Sequence, residues 1–129
     1  MEITASVEQG QVPATVLHLT GDLDANTEGQ LVQHARAAVE QGAQHLVIDL
    51  AHVRYISSAG VRALHKVYLL MRPDEPAEVR LQGLRDGTYT APNLRLLKPN
   101  DDVREVLSMT GLDMYLQIHP DLPSALASF

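Results

Sequence analysis

The sequence predicts an α/β fold in which a mixed sheet of four or five strands packs against three or four helices. Short apolar runs typical of strands alternate along the chain with segments whose apolar residues recur at steps of three and four, the spacing of an amphipathic helix. The length of 129 residues lies within the range of about 100–150 residues of most single domains. No internal repeat is visible. We therefore expect one domain that spans residues 1–129.

The composition limits the classes of protein that fit. The chain has 10 Lys+Arg against 16 Asp+Glu, a formal net charge of −6, and no cysteine. The lack of cysteine excludes disulfides and thiolate chemistry. The acidic balance disfavours nucleic acid as a partner, because nucleic-acid binding requires a basic surface. No run approaches the ~20 apolar residues of a membrane span, and no secretory signal is visible, so we expect a cytoplasmic location.

The first third of the chain predicts two strands and a helix. Residues 3–7 alternate apolar and polar side chains, and residues 14–19 are apolar and β-branched, as in strands. Residues 21–24 break the strand pattern. Thr27 is a candidate N-cap, and Gly42 is a plausible helix end. The apolar side chains on one face of this helix are Leu31, Ala35 and Ala38.

The middle of the chain predicts a buried strand, a loop and a second helix. Residues 45–50 form the compact apolar run expected of a strand that is buried on both faces. Residues 51–58 are predicted as a loop, and the helix that follows ends at Pro73. The apolar residues on one face of this helix are Val61, Leu64, Tyr68 and Met71.

Residues 73–93 predict a long extended connection, because they contain three prolines and two glycines. Within it, residues 78–82 alternate in the manner of a small strand. After this connection we expect a strand at 93–97 and another at 114–118.

The last third also predicts two helices. The first is capped by Asp101 or Asp102 and closed by Gly111 in the left-handed conformation. The second is short and lies within residues 120–129.

The start of the second helix is the most informative segment, with the sequence Ser-Ser-Ala-Gly at 57–60. Free backbone N–H groups and the helix dipole make such a helix start favourable for an anion. The small residues Ala59 and Gly60 would let the backbone of another protein approach closely. The competing interpretation is that Ser57 or Ser58 only caps the helix, which is the usual role of serine at this position.

Four segments, taken in order, resemble the STAS domain family, as found in bacterial anti-sigma factor antagonists. The segment at 57–60 is similar to the family signature. Residues 19–24 resemble the end of the second strand of the family, and residues 45–50 resemble its central strand. Residues 103–112 resemble its late helix with a Gly-Leu ending. The resemblance therefore implies a STAS-type single domain.

The resemblance implies a regulatory binding module that is not itself an enzyme. Antagonists of this family bind an anti-sigma factor that is a serine kinase, which phosphorylates a hydroxyl at the start of the signature helix, and a phosphatase restores the unmodified form. Since Ala59 stands where many members have a hydroxyl, Ser58 is the first candidate acceptor and Ser57 the second. The added phosphate brings about −1.5 to −2 charges and would repel an acidic interface. The residues expected to bind the partner are Asp22, Asp24, Ser57, Ser58, Ala59, Gly60, Val61 and Arg62.

Two alternatives stay open. The first is a STAS scaffold or transport-complex subunit that is never phosphorylated, and the second is a STAS module that binds a small ligand or a nucleotide. We expect no cofactor and no metal, because the six histidines are scattered and lack the spacing of a helical metal site. A hydrolase based on Ser58, His65 and Asp49 is disfavoured, since seven helical residues separate the first two by about 10 Å.

Overall fold

The computed structural model describes residues 1–72, 77–87 and 89–129, and the predicted fold class is confirmed. Five strands form one sheet, with five α-helices in the described ranges. The strands are β1 (Glu2–Gln9), β2 (Pro13–Leu23), β3 (Leu46–Ile56), β4 (Leu94–Leu97) and β5 (Gln117–His119). The helices are α1 (Glu28–Glu40), α2 (Ser58–Met71), α3 (Ala77–Asp86), α4 (Asp101–Met109) and α5 (Leu122–Ala127).

The sheet is mixed, and its strands follow the order of the chain, β1-β2-β3-β4-β5. β1 pairs antiparallel with β2, and the other three pairings are parallel. The strand-to-strand connections between parallel neighbours contain helices, as such connections require. The carboxyl ends of β2 and β3 consequently lie at the same edge of the sheet.

One face of the sheet carries the main apolar core. Alternate residues of β2, β3 and β4 pack there against α1, α2 and α4, and Leu17, Ile48 and Leu96 are completely buried. The other face carries a smaller core of Val16, Val47, Leu97 and Ala125, against which Leu122 and Phe129 pack. β3 is therefore buried on both faces, as its continuous apolar run predicts.

β2 and β3 extend further than the sequence suggests. Residues 21–24 do not end β2, which continues to Leu23, and the loop predicted at 51–58 is wrong because β3 continues to Ile56. The pairs Gly21↔Val53 and Leu23↔Ile56 extend the ladder, after register shifts that follow His18 and Gly21. Gly21 has a φ of 121°, a conformation that glycine adopts without strain, so the strand passes through the register shift after this residue without ending.

The strand predicted at 78–82 is also wrong, because these residues lie in α3. Alternation over five residues is too short to distinguish a strand from a helix with exposed apolar positions. α3 has Glu78 in its first turn and Arg85 in its last, the charge order that the helix dipole favours. The 73–93 connection thus contains a helix, which raises the number of helices above the predicted three or four. Pro73, the predicted end of α2, lies outside the described residues, as do residues 74–76.

Local signals at the other helix ends are partly confirmed. Thr27 is the N-cap residue of α1 but does not accept a capping hydrogen bond, and Gly111 has the expected left-handed φ of 80°. The cap of α4 is Asn100, whose Oδ1 accepts a 2.8 Å hydrogen bond from the Val103 N–H, and the assignment to Asp101 or Asp102 is wrong. The predicted strand at 114–118 is β5, which begins three residues later, after a short 3₁₀ helix at Leu112–Met114.

A row of three hydrogen-bonded side chains connects β1 to the centre of the sheet. Ser6 Oγ lies 2.9 Å from His18 Nε2, and His18 Nδ1 lies 2.8 Å from Asp49 Oδ2. The other oxygen of Asp49 accepts a 3.0 Å hydrogen bond from the Ala51 N–H. The Asp49 side chain is only 15% exposed, so its carboxylate is a partly buried junction of β2 and β3.

We expect Asp49→Ala to lower the free energy of unfolding by about 1–3 kcal/mol, because it leaves the His18 ring and the Ala51 N–H without their acceptor. The measurement is urea unfolding followed by circular dichroism. The matched control is Asp86→Ala, which removes an exposed carboxylate bonded to Gln82 and should change stability by less than about 0.5 kcal/mol. Equal losses of unfolding free energy in the two variants would contradict a stabilising role of the hydrogen bonds that join Ser6, His18 and Asp49.

Candidate functional site

The start of α2 is built on an extended serine. Ser57 lies between β3 and α2 with φ −98° and ψ 178°, and its Oγ accepts a 3.3 Å hydrogen bond from the Gly60 N–H. Its own N–H donates to the Leu23 carbonyl at 3.0 Å. Ser57 is therefore the N-cap residue of α2, and its hydroxyl already has a structural role.

Ser58 is the first residue of α2, and its side chain has a different environment. The residue is exposed, and its hydroxyl makes no hydrogen bond within the ranges that the structure describes. The backbone N–H groups of a first helical turn have no partners inside the helix. A hydroxyl at this position is accessible to an enzyme, and an anion attached to it would face the positive end of the helix dipole.

Ala59 and Gly60 lie beneath this surface, and both are buried. A methyl group at Gly60 would overlap the Leu23 carbonyl oxygen and would lie 2.7 Å from Ile56 Cγ1. The space beside Gly60 is thus filled by β2 and β3 of the same chain, and the expectation that the backbone of another protein approaches there is wrong. Val61 is half-buried and Arg62 exposed, so the accessible part of this first turn is Ser58, Val61 and Arg62.

Asp22 and Asp24 flank the Leu23 carbonyl that accepts from Ser57, so the structure brings them beside the start of α2. Asp22 Oδ1 lies 3.5 Å from an Arg54 guanidinium nitrogen, with the Arg54 side chain 81% exposed. Asp24 Oδ1 accepts a 3.0 Å hydrogen bond from the Asn26 N–H. Both residues are half-buried, and we call this pair the acidic rim.

Arg62 makes a contact that the sequence did not suggest. A guanidinium nitrogen of Arg62 lies 3.4 Å from Glu28 Oε1, and Lys66 Nζ lies 3.9 Å from Glu28 Oε2. Oε2 is buried and makes no hydrogen bond within the described parts of the chain. Glu28 is the first residue of α1, so these charges join the two helices along the exposed side of the site.

The residues of the disfavoured hydrolase triad are not brought together. His65 Nδ1 lies 2.7 Å from the hydroxyl of Tyr115, whereas Asp49 contacts His18. Burial, together with the neighbouring Tyr68, raises the pKa of Tyr115 to about 12.

The described residues contain no cluster of histidine and acidic side chains that could hold a metal ion. None of their helices is long and apolar enough to cross a membrane.

The sequence did not predict two clusters of interacting side chains. Ser6, His18 and Asp49 lie on three strands, and their proximity depends on a register that the sequence did not reveal. The pairing of Arg62 with Glu28 depends likewise on how α1 and α2 pack. In neither case does a local motif exist that could have identified the contact.

Comparison with known proteins defines the family. The family model described as "Mlab, STAS domain" matches residues 7–118, and the chain therefore belongs to the STAS domain family. A comparison with curated protein sequences finds no match.

Solved structures show the same fold. An anti-sigma factor antagonist from Mycobacterium paratuberculosis is 24% identical, with 98% of this chain and 93% of that chain covered and a TM-score of 0.70. The Bacillus cell fate determinant SpoIIAA in its phosphorylated form is 19% identical, with coverages of 92% and 93% and a TM-score of 0.55. A sulfate transporter family protein from Wolinella succinogenes is 17% identical, with coverages of 88% and 82% and a TM-score of 0.59.

We expect Gly60→Ala to lower the free energy of unfolding by about 1–3 kcal/mol, because the added methyl group meets backbone rather than a movable side chain. Thermal and urea unfolding measure the loss. Gly29→Ala in α1 is the matched control, since a Cβ there has nothing within 4 Å, and alanine favours a helix over glycine by up to about 1 kcal/mol. A Gly60→Ala protein as stable as the unsubstituted chain would contradict the tight contact with β2.

Proposed function

We propose that this protein is an anti-sigma factor antagonist, a regulatory binding protein rather than an enzyme, whose single STAS domain is switched off by phosphorylation of Ser58. The observation that carries the proposal is that the hydroxyl groups of the two serines have different environments. The Ser57 hydroxyl is used as the cap of α2, whereas the Ser58 hydroxyl is exposed and free of hydrogen bonds within the described residues.

In its unphosphorylated form the protein binds a cognate anti-sigma serine kinase in the cytoplasm, and a phosphatase restores this form. The binding surface consists of Ser58, Val61 and Arg62 with the acidic rim of Asp22 and Asp24. Ala59 and Gly60 support this surface from below, and Ser57 fixes its backbone. The similarity to an anti-sigma factor antagonist from Mycobacterium paratuberculosis and to a phosphorylated Bacillus protein supports this proposal.

Electrostatics explain how one phosphate ends binding. A phosphate on Ser58 adds about −1.5 to −2 charges beside the carboxylates of Asp22 and Asp24. A partner that binds the unmodified surface closely would have to remove water from this phosphate, which costs far more than burying a hydroxyl. The helix start still stabilises the phosphate itself, so the modified protein remains folded while its interface is lost.

A second function is favoured by one observation, the similarity to a sulfate transporter family protein. In that case the chain is a STAS subunit of a transport or scaffold assembly, and Ser58 is not phosphorylated. The two functions differ in whether the partner transfers phosphate to Ser58, so a phosphorylation experiment distinguishes them.

We expect incubation with ATP and the cognate anti-sigma kinase to add one phosphate, detected by intact mass and mapped to Ser58 by fragmentation. Ser58→Ala should abolish the modification and keep the complex with the kinase intact. Ser57→Ala is the matched control. It should still accept phosphate and should lose about 1 kcal/mol of stability through the missing cap.

Each other outcome has a defined meaning. Phosphate found on Ser57 would keep the function and correct the acceptor. A stable complex without phosphate transfer would favour the scaffold function, and the nucleotide-binding alternative would be supported only by a thermal shift with nucleotide alone, about 2.7 kcal/mol at 100 times Kd.

A further inference from the structure

β1 is an edge strand with an open outer side. It pairs with β2 over its full length, from Glu2↔Thr20 to Gln9↔Pro13, and within residues 1–72, 77–87 and 89–129 no strand pairs with its other edge. Such an edge presents a row of backbone N–H and C=O groups to an added strand. β1 contains neither proline nor lysine, and its two charged residues, Glu2 and Glu8, protect the edge only against other acidic strands.

A groove lies beside this edge, between β1 and α1. Its volume is about 370 Å³, within the range of roughly 300–1,000 Å³ typical of ligand sites. The residues that line its two sides include Ala5 and Val7 from β1 and His34, Ala37 and Gln41 from α1. Leu17 and Ala38 form its buried floor. We call this space the β1–α1 groove.

The side chains of β1 show that α1 covers only one end of the strand. Ile3 is half-buried in the main core, whereas Ala5 is exposed and Val7 is 64% exposed, although all three point to the same face. The small side chains of Ala37 and Ala38 leave space opposite Val7. Apolar side chains of an added strand would therefore enter the groove at alternate positions.

The charge of β1, rather than that of the groove lining, favours a basic occupant. β1 carries Glu2 and Glu8 and no basic residue, and the end of α1 carries Glu40 against Arg36. The whole chain has a net charge of −6. Basic side chains on the outer face of an added strand would pair with the glutamates of β1, which point away from the groove on the opposite face of the sheet.

We propose that the β1–α1 groove binds an extended basic segment of a partner protein, which adds to β1 as a further strand of the sheet and places alternate apolar side chains in the groove. Backbone hydrogen bonds to the edge and apolar side chains in a groove are the two components of strand addition. The hydrogen-bonded chain of Ser6, His18 and Asp49 holds β1 from its inner side, so the edge is already ordered before the partner binds.

A second copy of this chain fits the edge less well. In an antiparallel pairing of two β1 strands centred on Ala5, Ile3 of one strand faces Val7 of the other, which is the register that matches the apolar residues. The same register places Glu2 opposite Glu8 at both ends. Like charges directly opposite each other are destabilising, and a basic segment removes this conflict.

The groove is separate from the phosphorylation site. Thr15 lines the groove near the start of β2, whereas Leu23 contacts α2 at the other end of that strand. Eight residues of extended chain separate them by about 26 Å. Binding at the groove therefore does not depend on whether Ser58 is phosphorylated. A failure of the proposed function would leave this inference unaffected, and the reverse is also true.

The test uses the full chain and a nine-residue peptide in which valines alternate with lysines and threonines, acetylated and amidated at its ends. Binding is followed by fluorescence anisotropy and by ¹H–¹⁵N NMR. We expect saturable binding, with amide shifts in β1 and along residues 34–41. A peptide with glutamate in place of lysine, and one with alternate backbone nitrogens methylated, should each bind at least about tenfold more weakly, the equivalent of 1.4 kcal/mol.

Val7→Lys is the diagnostic variant, because it removes the apolar contact and adds a positive charge at an exposed position without disturbing the core. It should weaken binding at least about tenfold. Val79→Lys is the matched control, since Val79 is 61% exposed on α3, and it should bind as the unsubstituted chain does. The proposal is overturned if no peptide binding is measurable, if the amide shifts map to α2, or if the two lysine variants bind equally.

Discussion

The contact between the first turn of α2 and the end of β2 is the constraint on which the candidate site depends. The Leu23 carbonyl accepts from the Ser57 N–H, and the absence of a side chain at Gly60 lets α2 begin directly against that carbonyl. Because Leu23 is anchored in the core and paired with Ile56, the position of Ser58 is fixed by the sheet and not by a flexible loop. The register shifts of β2 matter for the same reason, since they bring Leu23 to the level at which β3 ends.

Opposite charges are distributed around that contact in a way that suits a reversible interface. Asp22 and Glu28 have basic neighbours, whereas the Asp24 carboxylate is occupied by local N–H and hydroxyl donors. The pair of Asp22 with Arg54 is at the surface, where such a pair contributes about 0–1 kcal/mol. Breaking it is therefore inexpensive, and the sheet beneath need not change. A rigid backbone with exchangeable surface charges is the arrangement expected of a binding module.

The sequence predicted the parts of the fold that depend on apolar periodicity and missed those that depend on tertiary register. The run at 45–50 identified a strand buried on both faces, because that property is visible in consecutive residues. The extension of β3 to Ile56 was not visible, since it requires pairing with β2. α3 was missed because five alternating residues are too few to distinguish the two-residue period of a strand from the 3.6-residue period of a helix. At the start of α2, the nearness of Asp22 and Asp24 to the serines was expected from the family resemblance, and whether these residues bind a partner stays a prediction, whereas the pairing of Arg62 with Glu28 was not expected at all.

The capping role of Ser57 also explains why the neighbouring serine suits a reversible modification. A phosphate on Ser57 would have to replace the Oγ that accepts from Gly60, at a residue whose backbone is held by Leu23. The modification would then act on the junction of β2, β3 and α2. A phosphate on Ser58 leaves that junction unchanged and alters only the charge of the exposed surface. A switch must return to its starting state after each cycle, and it does so at least cost when the modified side chain has no structural role. The first exposed position of α2 meets that condition, because the residue before it supplies the cap.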